Sequence, residues 1–122
     1  MARKRRTFRE KQQWVLDLLD ERWELAKRTH AVNPIAPSIS ATDEATEEAW
    51  HAEFGGYRRY YTIGPCVSPD LTRTLRAMYV NGNLYRGTAG NQDAKNFCQK
   101  TYYVFYRLKG HVHEAEELRR TQ

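Results

Sequence analysis

A chain of 122 residues, 40% apolar and 12% aromatic, has material for one buried core and reads as a single domain over residues 7–122 behind a flexible basic arm at 1–6. No apolar run approaches the roughly 18 residues that cross a bilayer, and no apolar stretch follows Met1-Ala2-Arg3-Lys4-Arg5-Arg6, so neither a membrane span nor a secretory signal is expected. The net charge of +5 is unevenly spread, at +4 over residues 1–30, −5 over 31–55, +7 over 56–110 and −1 over 111–122, and such a cationic block attracts polyanions.

The first predicted element is a helix over residues 8–29. Thr7-Phe8-Arg9-Glu10 has the capping-box form, and Trp14, Val15, Leu18, Leu19, Trp23 and Ala26 make one apolar stripe at helical spacing. Residues 31–39, with Asn33, Pro34 and Pro37, read as a loop. A second helix is expected from Ser40-Ala41-Thr42-Asp43 to Phe54, ended by Gly55-Gly56. Its early turns carry Asp43, Glu44, Glu47 and Glu48, which suit the positive end of a helix dipole, while Thr46, Trp50 and Phe54 share a face. This acidic helix should face away from nucleic acid or face a partner protein. Residues 57–63, aromatic and β-prone, fit either a short strand or an irregular turn of helix.

Ser68-Pro69-Asp70 is a helix start, with a hydroxyl to cap, a proline at the first helical position and a carboxylate behind it. Leu71, Leu75, Met78 and Tyr79 follow on one face as its core side, and Asn81-Gly82 stops it. The opposite face offers Thr72, Arg73 and Arg76. Arginine can donate twice to a guanine edge, and short side chains let a backbone come close. Asn83-Leu84-Tyr85-Arg86 is short and β-prone, Gly87 to Lys100 is a polar tip with turn residues, and Thr101 to Leu108 is a dense β-forming run. Helical spacing of Phe97, Thr101, Val104, Phe105 and Leu108 keeps a helix open over residues 94–108.

The run Leu71-Thr72-Arg73-Thr74-Leu75-Arg76-Ala77-Met78-Tyr79-Val80-Asn81-Gly82-Asn83-Leu84-Tyr85-Arg86, with Tyr102 to Leu108 behind it, resembles the recognition helix and wing of winged helix-turn-helix DNA-binding domains. The likeness covers residues 68–108, about a third of the chain. It implies an α+β winged-helix fold with an extra acidic helix and a C-terminal helix, bound to double-stranded DNA as a transcription regulator. In that reading the 68–81 helix enters the major groove with Thr72, Arg73 and Arg76 on the bases. The wing at 87–100 lies on the backbone. Phosphate contacts are assigned to Arg3, Lys4, Arg5, Arg6, Arg58, Arg59, Arg86, Lys95, Lys100 and Lys109. The sequence departs from the pattern between Gly55 and Val67, where a short turn belongs. Pairing through terminal helices, as such regulators use, suggests a homodimer.

Two further classes compete. One is a protein-interaction module that meets a polymerase, phage or host factor at the acidic helix 43–53. The other is an RNA or single-strand binder, in which bases stack on the tyrosines interleaved with arginine. Cys66, Cys98, His111 and His113 have no known zinc-finger spacing and read as two buried thiols and two surface histidines, so no metal or other cofactor is expected. Two distant cysteines suit a reducing compartment, and a cytoplasmic, nucleoid-associated protein is the expectation. No phosphate loop, dinucleotide fingerprint, nucleophile elbow or metalloprotease helix occurs, so the chain is expected not to be an enzyme. A short final helix is expected over residues 112–120, with Val112, Ala115 and Leu118 inward.

Overall fold

The computed structural model describes residues 7–60, 66–90 and 102–121. In chain order these form α1 (Phe8–Thr29), β1 (Ser38–Ile39), α2 (Glu44–Phe54), α3 (Pro69–Val80), β2 (Leu84–Gly90), β3 (Tyr102–Leu108) and α4 (Lys109–Arg120). The three strands make one antiparallel sheet in the order β1-β3-β2. The protein is therefore α+β, with four helices and a small antiparallel sheet among the described residues.

Most element ends follow from local chemistry. Thr7 caps α1 by accepting the Glu10 amide at 3.2 Å. Asp43 caps α2 by accepting from the Ala45 amide, and Gly55 and Gly56 end that helix at φ of 68° and 89°. At the end of α3, the Gly82 amide donates to Tyr79 and the Asn83 amide to Met78, while Gly82 takes φ 87°. That pattern closes the last carbonyls of the helix and needs a residue free to adopt the left-handed region.

The core joins every layer: Val15 and Leu19 from α1, Ile39 from β1, Trp50 from α2, Leu71, Leu75 and Met78 from α3, Leu84 from β2 and Tyr106 from β3. Along β3, Val104, Tyr106 and Leu108 turn inward, so the alternation of a strand sends Tyr103, Phe105 and Arg107 to the outer face. There Phe105 lies across Gly87 of β2, where a Cβ would sit 2.6 Å from the ring, and the Arg107 guanidinium packs 5.0 Å from the same ring.

The structure corrects several expectations and decides between alternatives left open. The 31–39 loop contains β1, whose Ser38 and Ile39 pair with Arg107 and Tyr106 because the extended tyrosine-rich strand offers a second edge. Residues 57–60 are not helical; Arg59 makes an isolated antiparallel bridge with Val67 instead. Gly87 lies inside β2 rather than in a turn, since the strand runs on to Gly90. Residues 102–108 are strand and not helix, while the rest of the 94–108 alternative lies outside the described residues. Tyr79, expected on the core side, is 43% exposed, while Thr74 is buried with its hydroxyl donating to the Asp70 carbonyl at 2.9 Å. The final helix begins at Lys109, directly off β3, so His111 joins Ala115 on its buried face.

The last helix is clasped to the first by polar contacts that sequence periodicity does not encode. Trp23 Nε1 donates to Glu114 Oε2 at 2.7 Å, Lys27 reaches Glu114 Oε1 at 3.4 Å, and His111 Nε2 lies 2.7 Å from Asp20 Oδ1. The His111 ring also stacks on Trp23 at 5.5 Å. The expectation of a surface histidine fails there because the imidazole fills the seam between α1 and α4. No helix among the described residues is long and apolar enough to cross a membrane.

Candidate nucleic-acid interface

The amphipathic spacing of α3 decides what it presents. With Leu71, Thr74, Leu75 and Met78 buried, Thr72, Arg73 and Arg76 fall on the opposite, exposed face, followed by Tyr79 and Val80. Thr72 and Arg76 are one turn apart, about 6 Å along the axis. The Arg73 side chain is 76% exposed and its guanidinium lies 3.8 Å from Asp70. Asp70 itself is held by Lys11 of α1 at 2.7 Å, which fastens the start of α3 to the start of α1. Neither arginine lies against the acidic helix among the described ion pairs.

The hairpin that follows keeps Arg86 exposed on β2, paired in register with Tyr106. At its base Lys109 sits 5.1 Å from the Tyr85 ring, and the Tyr85 hydroxyl is 2.9 Å from His113 Nε2. This cluster brings the start of α4 beside the hairpin base. Only Lys109 of the three carried a sequence signal, its charge; the Tyr85–His113 contact depends on α4 following β3 without a loop. Arg59 is exposed. Arg3, Lys4, Arg5, Arg6, Lys95, Lys100 and Cys98 lie outside the described residues, as do 91–100 of the expected wing.

Arg58 leaves the expected phosphate set. Its Nε donates to Glu47 Oε1 at 2.8 Å and its terminal nitrogen to Oε2, because Glu47 is 1% exposed and such a charge needs a partner. Ser68 was expected to cap α3, yet its hydroxyl makes no cap bond and donates to Glu47 Oε1 at 2.8 Å. Glu47 thus belongs to the interior rather than to a solvated acidic turn. Its place on the helix face, one residue after buried Thr46, was a signal that the surrounding carboxylates concealed.

Burial alone would raise the Glu47 carboxyl, but the hydrogen bonds from Arg58 and Ser68 outweigh it and hold the group below its ordinary value near 4.5. The Trp23 indole and Lys27 likewise hold Glu114 below that value against its partial burial. For a depressed carboxyl the stabilisation is complete above the unfolded value and lost as pH falls through the lower folded one. Thermal midpoints are therefore expected to hold steady from pH 7 to 5 and to fall below about 4.5, and Glu47→Gln should lower the midpoint at pH 7 and flatten the acid fall. A midpoint that stays level down to pH 3 would contradict these assignments.

Beside this network, a cleft of about 610 Å³ is lined by Asp43, Glu44, Glu48, Arg58, Cys66, Tyr103 and Phe105 among others. Its carboxylates repel polyanions. Cys66 is a free, half-buried thiol rather than a buried one. No group of three or more His, Cys, Asp or Glu suited to a metal occurs among the described residues.

No family model matches the chain, and neither a curated protein nor a solved structure matches it. The functional reading accordingly rests on geometry and charge.

Proposed function

We propose that the protein binds double-stranded DNA sequence-specifically, as a winged-helix transcription regulator, with α3 in the major groove and the β2–β3 hairpin against the backbone. The observation that carries this reading is the exposed face of α3, where Thr72, Arg73 and Arg76 stand outward while the apolar stripe is buried. Four helices with a three-stranded antiparallel sheet are compatible with a winged-helix layout. Thr72, Arg73 and Arg76 read bases; Arg86, Arg59 and Lys109, with the N-terminal Arg3-Lys4-Arg5-Arg6 and Lys95 and Lys100, hold phosphates. The α4 helix is engaged on α1 through Trp23, Asp20 and Lys27, so the outer face of α4 is the surface offered to a second copy in a homodimer.

The test is a gel-shift against pooled random duplexes at two salt concentrations. If about five phosphates are contacted, affinity should fall by two to three orders of magnitude between about 50 and 200 mM salt, with selection of a preferred sequence. Weak binding that ignores sequence, or none at 50 mM, ends the regulator reading. A second reading is favoured by the acidic cleft, whose carboxylates beside Tyr103 and Phe105 suit a basic segment of a partner protein. That interaction would leave duplexes unbound in the same assay.

A further inference from the structure

A helix-turn-helix fixes its second helix by a turn of about three or four residues, whereas Gly55–Ser68 separates α2 from α3 here. We propose that Glu47 is the positioning residue of this pair: its buried carboxylate does the work of the missing short turn by gripping both ends of the long connection. The role rests on the duplex reading for its consequence, but the grip itself is independent of it.

Three observations support it. First, the donors to Glu47 sit at opposite ends of the connection, Arg58 shortly after α2 and Ser68 at the residue before α3. One carboxylate therefore sets where α3 begins relative to the first turn of α2. Second, Arg59 and Val67 exchange both backbone hydrogen bonds, at 2.6 and 2.9 Å, which closes the connection at its base. Arg59 and Val67 are thereby held side by side, and the described path from α2 to α3 runs through Arg58–Glu47–Ser68. Third, Ser68 gives up the cap of its own helix to reach Glu47. A serine placed for helix stability alone would turn its hydroxyl to the free amides of α3. Its diversion shows that the starting point of α3 is set by the contact with α2.

The experiment compares the full chain with Glu47→Gln, Ser68→Ala and a chain in which residues 60–66 are replaced by Asn-Gly. A two-residue turn of that composition closes a hydrogen-bonded pair such as Arg59 and Val67. Hydrogen exchange is read without DNA at the Arg73 and Thr74 amides and compared with Val15 and Leu19 in α1. The ratio of affinities for the preferred and random duplexes is read at fixed salt, well below the melting midpoint.

Glu47→Gln is expected to speed exchange at the start of α3 by about tenfold relative to α1, since local opening follows the loss of a tethering contact. It should lower the duplex ratio by a similar factor while the salt slope stays unchanged, because the surface cations remain. Ser68→Ala should show the same local effect more weakly, and serves if Glu47→Gln does not fold. The Asn-Gly replacement also removes Cys66, whose thiol lies 3.9 Å from Glu47 Oε1, and should move both readouts far less than Glu47→Gln does. Equal exchange at α3 and α1 in Glu47→Gln, or a loop replacement as damaging as the loss of the carboxylate, overturns the proposal. A parent chain with no duplex preference sinks the regulator reading, and the exchange data then judge Glu47 separately.

Discussion

Alanine at both Arg73 and Arg76 is expected to weaken binding to a preferred duplex by about 30-fold or more, each side chain contributing about 1–3 kcal/mol. The melting midpoint should hardly move. Arg73 is largely exposed, its only described carboxylate neighbour is Asp70 at 3.8 Å, and Asp70 keeps Lys11 when the arginine is gone. Alanine is also the better helix former, so surface truncation here carries little folding cost. The loss should concentrate on the specific site, because a base contact removed costs discrimination more than general affinity. Arg86→Ala supplies the contrast: as a phosphate contact on β2 it should weaken all duplexes alike and reduce the salt slope by about one. Fluorescence anisotropy with one selected and one scrambled duplex separates the two patterns. If the double variant binds both duplexes as well as the parent does, α3 is not the reading element.

The face of α3 was legible in the sequence because a single helix needs only its own period to show which side is wet. Leu71, Leu75 and Met78 define the buried side without reference to any other element, and Thr72, Arg73 and Arg76 follow by exclusion. The glycine stop at Gly82 was legible for the same local reason. Tyr79 misled, since its spacing matches the stripe but its bulk sits at the rim, where the ring meets Tyr106 at 6.3 Å and the rest stays in water.

What the sequence hid are contacts between distant segments. β1 is two residues long and exists only because β3 offers it an edge, so no alternation could announce it. His111 and Glu114 look like surface residues of a charged helix until Trp23 and Asp20, more than eighty positions away, meet them. Glu47 is the sharpest instance for the site. Four carboxylates among six residues read as a solvated, dipole-matched turn, and the one local hint, the place of Glu47 on the helix face beside Thr46, is concealed by the three others. Its identity depends on Arg58 and Ser68 folding back across the connection, and that same event removes Arg58 from the expected phosphate contacts.

Trp50→Ala is expected to cost about 3–5 kcal/mol, a large share of the roughly 5–15 kcal/mol that holds a domain of this kind folded. The ring is fully buried, stands edge-on to Trp14 at 5.3 Å and packs on Phe54 at 4.4 Å, and it belongs to the cluster that joins α1 and α3. Truncation removes its apolar burial and leaves a void that neither aromatic neighbour can fill without leaving the other. Trp50→Phe should behave differently. The indole Nε1 is buried and finds no hydrogen-bond partner among the described residues, so the wild-type side chain carries a desolvated donor that phenylalanine lacks. Loss of the larger ring still opens space, but relief from the unpaired donor offsets part of it, and the net cost should stay under about half that of alanine. Urea unfolding followed by far-UV circular dichroism measures both, with the slope against denaturant checked for constancy. Equal destabilisation by phenylalanine and alanine would show that the indole nitrogen is satisfied and that the ring is held by more than its packing.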